Sequence, residues 1–274
     1  MTRILAFLGK CSSLGLLVVS FCGVTVSQVS VVTQHNDINR TGQNSSETVL
    51  TTSNVNVSNF GKLFTLTVDG SIYAQPLYLP NLTIGGGLHN VVYVATENNS
   101  VYAFDADDPN GTTLWHVNLG PSVPSDDICG GSQGCYTDII GGIGITGTPV
   151  IDPQGGVLYA AVKNKDSDGT YHYRLHALNV TSGAEMFGGP KEISAANFVP
   201  LYQMNRPALL LSGGNVYVAF GSVGDMPPWY GWVMAYDAST LAQVAVLNTS
   251  PSSDEGGSIW GGGQGPVADS AGNV

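Results

Sequence analysis

The sequence predicts an all-β protein made of repeated four-stranded antiparallel sheets, and three observations carry that expectation. Hydrophobic residues make up 43% of the 274-residue chain and charged residues only 11%, while glycine and proline number 36 and 14. Such a profile fits many short strands joined by turns and opposes disorder, which needs low hydrophobicity and high charge. Apolar and polar residues alternate with period two in runs such as SVYAFD, Ser100 to Asp105, as in a strand whose side chains face opposite sides in turn. Finally, one phrase returns at a fixed interval.

A proline opens a strand at AQPLYL (Pro76), TGTPVID (Pro149), NRPALLL (Pro207) and GQGPVAD (Pro266). A second strand follows at VVYVAT, VLYAAV and NVYVAF, and a third ends in Ala-x-Asp or Ala-x-Asn at VYAFDA, LHALNV and VMAYDA. An outer strand such as TTLWHVNL completes the unit. Pro149, Pro207 and Pro266 lie 58 and 59 residues apart, Ala177 and Ala235 lie 58 apart, and so do Asn215 and Asn273. A four-stranded antiparallel sheet repeated at a fixed period is the signature of a β-propeller blade. The units run over about 70–145, 146–205 and 206–263, with a partial one at 264–274; an inserted cysteine-bearing loop lengthens the first. Propellers typically close with four to eight blades, so about three and a half blades form an incomplete ring. Asn273-Val274 aligns with Asn215-Val216 and reads as the start of a fourth unit's second strand. The segment KLFTLTVD, Lys62 to Asp69, resembles an outer strand that would pair with the last blade of a complete ring. The sequence is therefore expected to be a fragment whose open edges favour aggregation.

The ends and the charge narrow the setting. Residues 1–27 place Arg3 and Lys10 before the apolar run LGLLVVSFCGVTV, with Thr25 and Ser27 at cleavage-like spacing, the pattern of a secretory signal peptide. A retained N-terminal anchor is the alternative, although the run is short for a membrane span. Residues 28–59 form a leader before the repeats begin at about residue 60. The formal charge is −11, and removing residues 1–27 takes away two cations and no acid. An acidic surface without a basic run repels phosphate backbones and anionic headgroups, which argues against nucleic-acid binding and, after signal removal, membrane insertion. The expected location is secreted or periplasmic. Cys129 and Cys135, which bracket GGSQG, are expected to form a disulfide in such an oxidising compartment. The spacing supports neither a metal site nor haem attachment. Eight N-x-S/T triplets are present, and turn chemistry accounts for them as well as glycosylation does.

The phrasing resembles the pyrroloquinoline-quinone-like propeller repeat of the quinoprotein alcohol dehydrogenase-like superfamily. Ala103, Asp105, Gly111, Leu114 and Trp115 match its Ala-x-Asp, glycine turn and Leu-Trp. The second unit keeps Ala177 and Gly183, has Asn179 for the acid and places Phe187 where the aromatic falls; the third keeps Ala235 and Asp237 and lacks the glycine and tryptophan. The leader QHNDINRTGQNSSETVLT is similar to that of large secreted bacterial proteins with this propeller, most of unassigned function. The resemblance implies one of two roles. Its dehydrogenases hold pyrroloquinoline quinone (PQQ) and calcium on the propeller axis through carboxylate and amide ligands, often beside a disulfide between adjacent cysteines. A related propeller lipoprotein assists outer-membrane barrel assembly, so the fold also serves without a cofactor.

The residues weigh toward the second role. Hard cations need clustered oxygen ligands, and SDDIC offers Asp126 and Asp127 only on a loop. Cys129 and Cys135 are not adjacent. The glycines of DIIGGIGITGTP, Asp138 to Pro149, lack the strand-to-helix setting of a phosphate loop and read as a tight passage toward the propeller's centre. His172 and His176 share a strand face without a third ligand. No G-x-S-x-G occurs. The candidate ligand-binding residues are Asp225, Trp229, Tyr230 and Trp232 of GDMPPWYGW, with Trp260 of GGSIWGGGQG. Aromatics beside an acid stack on sugars or grip peptides; the competing reading packs Trp232 and Trp260 between blades. The expected function is a secreted, non-enzymatic binding or scaffold propeller presenting loops to a protein or glycan, with no metal site and no cofactor. The alternative is a PQQ- and calcium-dependent dehydrogenase of alcohols or sugars.

Overall fold

The computed structural model describes residues 28–274 apart from Asp254; the expected signal peptide, residues 1–27, lies outside them. The first sheet contains β1 (Leu77–Ile84), β2 (Gly87–Ala95), β3 (Ser100–Asp105) and β4 (Thr113–Asn118) in that order. A short pair, β5 (Val123–Pro124) and β6 (Gly142–Ile143), brackets the cysteine loop. The second sheet runs β7 (Val150–Asp152), β8 (Val157–Lys165), β9 (Tyr171–Asn179) and β10 (Lys191–Glu192). In the third, β11 (Gln203–Met204) and β12 (Leu210–Ser212) share one edge of β13 (Asn215–Ser222), followed by β14 (Trp232–Asp237) and β15 (Gln243–Asn248). Neighbouring strands are antiparallel throughout these sheets.

The recurring acid of each unit is a turn device. Asp105 Oδ1 accepts from the backbone N–H of Asp107 at 3.0 Å, Asn179 Oδ1 from Thr181 at 2.9 Å, and Asp237 Oδ1 from Ser239 at 2.9 Å. An aspartate or asparagine oxygen closes such a turn equally well, so Asn179 in the second unit keeps the function of the acid it replaces. The aromatic position shifts instead. Phe187 has φ 56° and turns outward, while Met186, bonded through its backbone to Ala177, packs into the core.

The sheets stack face to face through two buried clusters. Leu77, Tyr93 and Trp115 of the first sheet meet Ile151, Leu158 and Val162 of the second. The opposite face of β8, with Val157, Tyr159 and Ala161, meets Val216, Val218 and Tyr236 of the third. Burial on both faces explains why VLYAAV is apolar without interruption. The sheets do not close a ring: among the described residues no buried cluster joins the strands of the third sheet to those of the first. Residues 62–68 are in no regular secondary structure, and Phe64, Leu66 and Val68 are half-buried; the segment has no ladder partner among the described residues.

The leader laces the inner edges of all four units. Val31 exchanges two backbone bonds with Tyr78 of β1, Val32 O accepts from Ile151 of β7, and Ile38 O accepts from Ala268. Arg40 completes the lacing. Its guanidinium is buried, donates to Gln34 O and Leu209 O at 3.0 Å each and to Pro266 O at 3.3 Å, and bonds the Thr33 hydroxyl. Burial pulls its pKa down to about 10.

The glycine run Gly142–Pro149 is the tight passage its composition predicts. A Cβ at Gly144 would stand 2.1 Å from Glu97 O and 2.3 Å from Asn99 Oδ1, and one at Gly147 would stand 2.3 Å from Asn205 Oδ1. Asn99 and Asn205 are buried and spend their amide N–H groups on Gly120, Lys163, Pro207 and Ala219 carbonyls, so neither can retreat. Gly144→Ala is therefore expected to cost about 3 kcal/mol through overpacking, read as a fall in the denaturant midpoint; an unchanged midpoint contradicts this geometry.

Candidate functional site

Loops gather at the end of the sheets where β2, β8 and β13 finish, and there they build a small core of their own. The 3-10 turn Ser125–Cys129 ends at Gly130, whose φ of 65° reverses the chain, and the Cys129–Cys135 disulfide closes the loop with Cα atoms 6.3 Å apart. Ile128, Tyr136 and Ile139 point inward onto Ile143, Met204 and Val223. Gly224 lets the Tyr136 ring lie close, since a Cβ there would be 3.2 Å from it. Asp127 accepts from Lys165 Nζ at 2.6 Å and from the Tyr171 hydroxyl at 3.2 Å, which ties the β8–β9 turn to the disulfide loop. Beside this core lies an open cavity of about 330 Å³ lined by Ser125, Asp126, Tyr136, Thr137 and Ile140. Burial raises the Tyr136 hydroxyl to about 12, and it has no hydrogen-bond partner among the described residues.

The aromatic insertion sits at the same end. Asp225 is exposed at φ 51° and accepts from the Ser222 hydroxyl. Trp229 and Tyr230 are half-buried, and Tyr230 bridges Gly256, which brings the 250–260 loop alongside. Trp232 is withdrawn into the inter-sheet core at 3% exposure, edge-on to Phe198 and Tyr230 with centroids 6.0 Å away in each case. Its role here is to anchor the insertion. Trp260 is 38% exposed, and its ring edge lies over Gly221, where a Cβ would be 3.0 Å away. Asp225, Trp229, Tyr230 and Trp260 thus share one end of the third sheet.

Two clusters escaped the sequence reading. Lys163 is fully buried under the Tyr173 ring and donates to Leu201 O at 2.8 Å and Gln203 O at 3.0 Å. Period two along β8 puts it on the face of Tyr159 and Ala161, the signal that could have flagged it. Burial depresses its pKa to about 7. Between about pH 7 and its unfolded value the unfolded chain binds the extra proton, so this group makes stability rise with pH in that window. The stability of the wild type relative to Lys163→Met is expected to rise from pH 7 to pH 10 in denaturant titrations; a flat relative stability contradicts the assignment. His172 and His176 lie in ion-pair clusters on β9: His172 meets Glu192 at 2.9 Å, Arg174 meets Asp166 at 2.6 Å, and His176 meets Glu185.

No protein-family model matches the chain, and no curated protein matches it. Solved structures do. Quinohaemoprotein alcohol dehydrogenase from Comamonas testosteroni superposes at TM-score 0.50 with 17% identity, over 80% of this chain and 27% of that one. The fold is that of a β-propeller, present as an unclosed run of blades. A quinohaemoprotein alcohol dehydrogenase from Pseudomonas putida gives 0.44 at 20% identity, over 68% of this chain and 22% of that one. BamB from Moraxella catarrhalis gives 0.30 at 12% identity, over 66% and 62%. The chain spans about a quarter of the length of the dehydrogenases it matches.

Among the described residues no group of three or more His, Cys, Asp or Glu side chains is placed to hold a metal ion. The disulfide joins cysteines six positions apart, and the inner edges of the blades are bonded to the chain's own leader. No helix among the described residues is long and apolar enough to cross a membrane.

Proposed function

We propose that these blades belong to a secreted, non-enzymatic binding propeller whose loop-bearing end contacts a protein or a glycan. The observation that carries this reading is the core beneath those loops. Ile128, Tyr136, Val223 and Met204 hold the disulfide loop and the start of the aromatic insertion against each other. A surface fixed before binding loses little entropy on contact, and loops on a rigid scaffold are where recognition residues concentrate. Trp229, Tyr230 and Trp260 supply stiff apolar area there, with Asp225 as the polar partner.

The test is tryptophan fluorescence of the full chain, titrated with a panel of soluble oligosaccharides and secreted proteins. A saturable change that Trp229→Ala and Trp260→Ala each weaken at least about tenfold, or 1.4 kcal/mol, supports the reading. Binding unaffected by both substitutions overturns it. Reduction of a redox dye by the chain given PQQ, calcium and an alcohol would replace it with the dehydrogenase.

A further inference from the structure

The loop end carries negative charge that the chain does not pair. Lys165 is spent on Asp127 at 2.6 Å, while Asp126, Asp138 and Asp225 have no ion pair among the described residues. All three gather around one tyrosine. Asp126 and Tyr136 line the same cavity of about 330 Å³. Asp138 stands two residues past Tyr136, and its charge adds to burial in raising that hydroxyl. Asp225 follows Gly224, whose missing Cβ lets the Tyr136 ring lie close.

The cavity is both apolar and charged. Pro124 and Ile140 form part of its wall, and Ile140 is 79% exposed at its side. Asp126 Oδ1 accepts from the Gly134 N–H at 2.9 Å, and Oδ2 has no hydrogen-bond partner among the described residues. Tyr136 is only 6% exposed, and its hydroxyl is equally unpartnered. An unsatisfied buried polar group costs about 1–3 kcal/mol, and a phenol oxygen accepts from an N–H donor.

We infer that this cavity receives a lysine or arginine side chain of a protein partner, with its cationic head at Asp126 and its methylene stem against Ile140. The inference rests on the proposed reading of the loop end as the contact surface, and it selects a protein over a glycan. A neutral sugar leaves the three carboxylates uncompensated, and an anionic one is repelled. These acids are not grouped to hold a metal ion. A cation on an apolar stem matches both the charge and the wall. The cavity lies at the lower end of the range of about 300–1,000 Å³ typical of ligand pockets, which suits a single side chain.

The test is fluorescence anisotropy of a short labelled peptide of glycine, serine and lysine, titrated with the full chain at physiological salt. Asp126→Asn combined with Asp138→Asn is expected to weaken saturable binding at least about tenfold. The asparagine amide oxygen still accepts from Gly134, so the loop keeps its bond. Asp107→Asn combined with Asp152→Asn removes the same charge at the opposite end of the sheets, and screening holds its effect below about twofold. A second readout needs no variant. Carbodiimide coupling of the lysine amine, mapped by mass spectrometry, is expected to attach the peptide to Asp126 or Asp138 ahead of the exposed Asp107. Equal weakening by both pairs would reduce the attraction to overall charge and overturn the inference. Absence of saturable peptide binding, or attachment spread evenly over exposed acids, overturns it too. An oligosaccharide whose binding Trp229→Ala weakens, with no peptide binding, would overturn this inference and leave the loop end as the contact surface. Attachment confined to the opposite end would overturn both.

Discussion

Arg40→Ala is expected to lower the stability of the chain by about 3–5 kcal/mol, because two buried carbonyls and a half-buried one lose a charged donor at once. Gln34 O, Leu209 O and Pro266 O all accept from this one guanidinium, and among the described residues no carboxylate is paired with it. The group thus acts as a cross-link between the leader and the inner strands. For a chain of this size the loss corresponds to a fall of about 10 °C in melting temperature. Arg40→Lys keeps the charge and loses the planar fork, so it should recover only part. Limited proteolysis provides the second readout: the leader of Arg40→Ala should be cut well before the blades are. A melting temperature within 2 or 3 °C of wild type, about 1 kcal/mol, would show that the lacing contributes little.

Trp115→Ala carries the second large effect, also about 3–5 kcal/mol. The indole is buried between the first two blades, donates to Val180 O at 2.9 Å and lies 5.8 Å from the Tyr93 ring. Gly183→Ala should be costly for two separable reasons, a positive φ of 70° and collision with that ring. Only the collision disappears once Trp115 is alanine. The double-mutant cycle should therefore show coupling of about 1 kcal/mol or more, with the backbone penalty left behind. Strict additivity of the two substitutions would mean that they do not touch.

These two sites mark the limits of what the sequence discloses. The repeat was legible because every blade solves the same local problems: alternation for two buried faces, a proline at the inner edge, and an acid or amide to close the turn. Asn179 looked like a lapse from the pattern and proves equivalent, since its Oδ1 accepts the same backbone N–H. Phe187 fell at the right spacing for the aromatic, yet its backbone turns it out and Met186 takes the place; counting residues does not see a one-residue shift in an irregular turn. Trp232 is at home in the core because it alternates with Met234 and Tyr236, a regularity visible in the sequence beside the binding reading. Arg40 could not be read at all. Its partners Leu209 and Pro266 are 169 and 226 residues away, and only the stacked blades bring them within reach. The loop end fails to show in the sequence for the same reason, since Tyr136 finds Gly224 across two blades.

The central claim is that the leader and the inner strands of the blades form one cooperative unit. Native-state hydrogen exchange tests it most directly. The amides of Val31, Tyr78, Ile151 and Ala268 all donate across the seam between leader and blades. They are expected to exchange with a common opening free energy near that of global unfolding, and in Arg40→Ala to fall together and further than Val218 in β13 does. Rapid exchange of Val31 and Ala268 in the wild type, with the blades fully protected, would contradict the account.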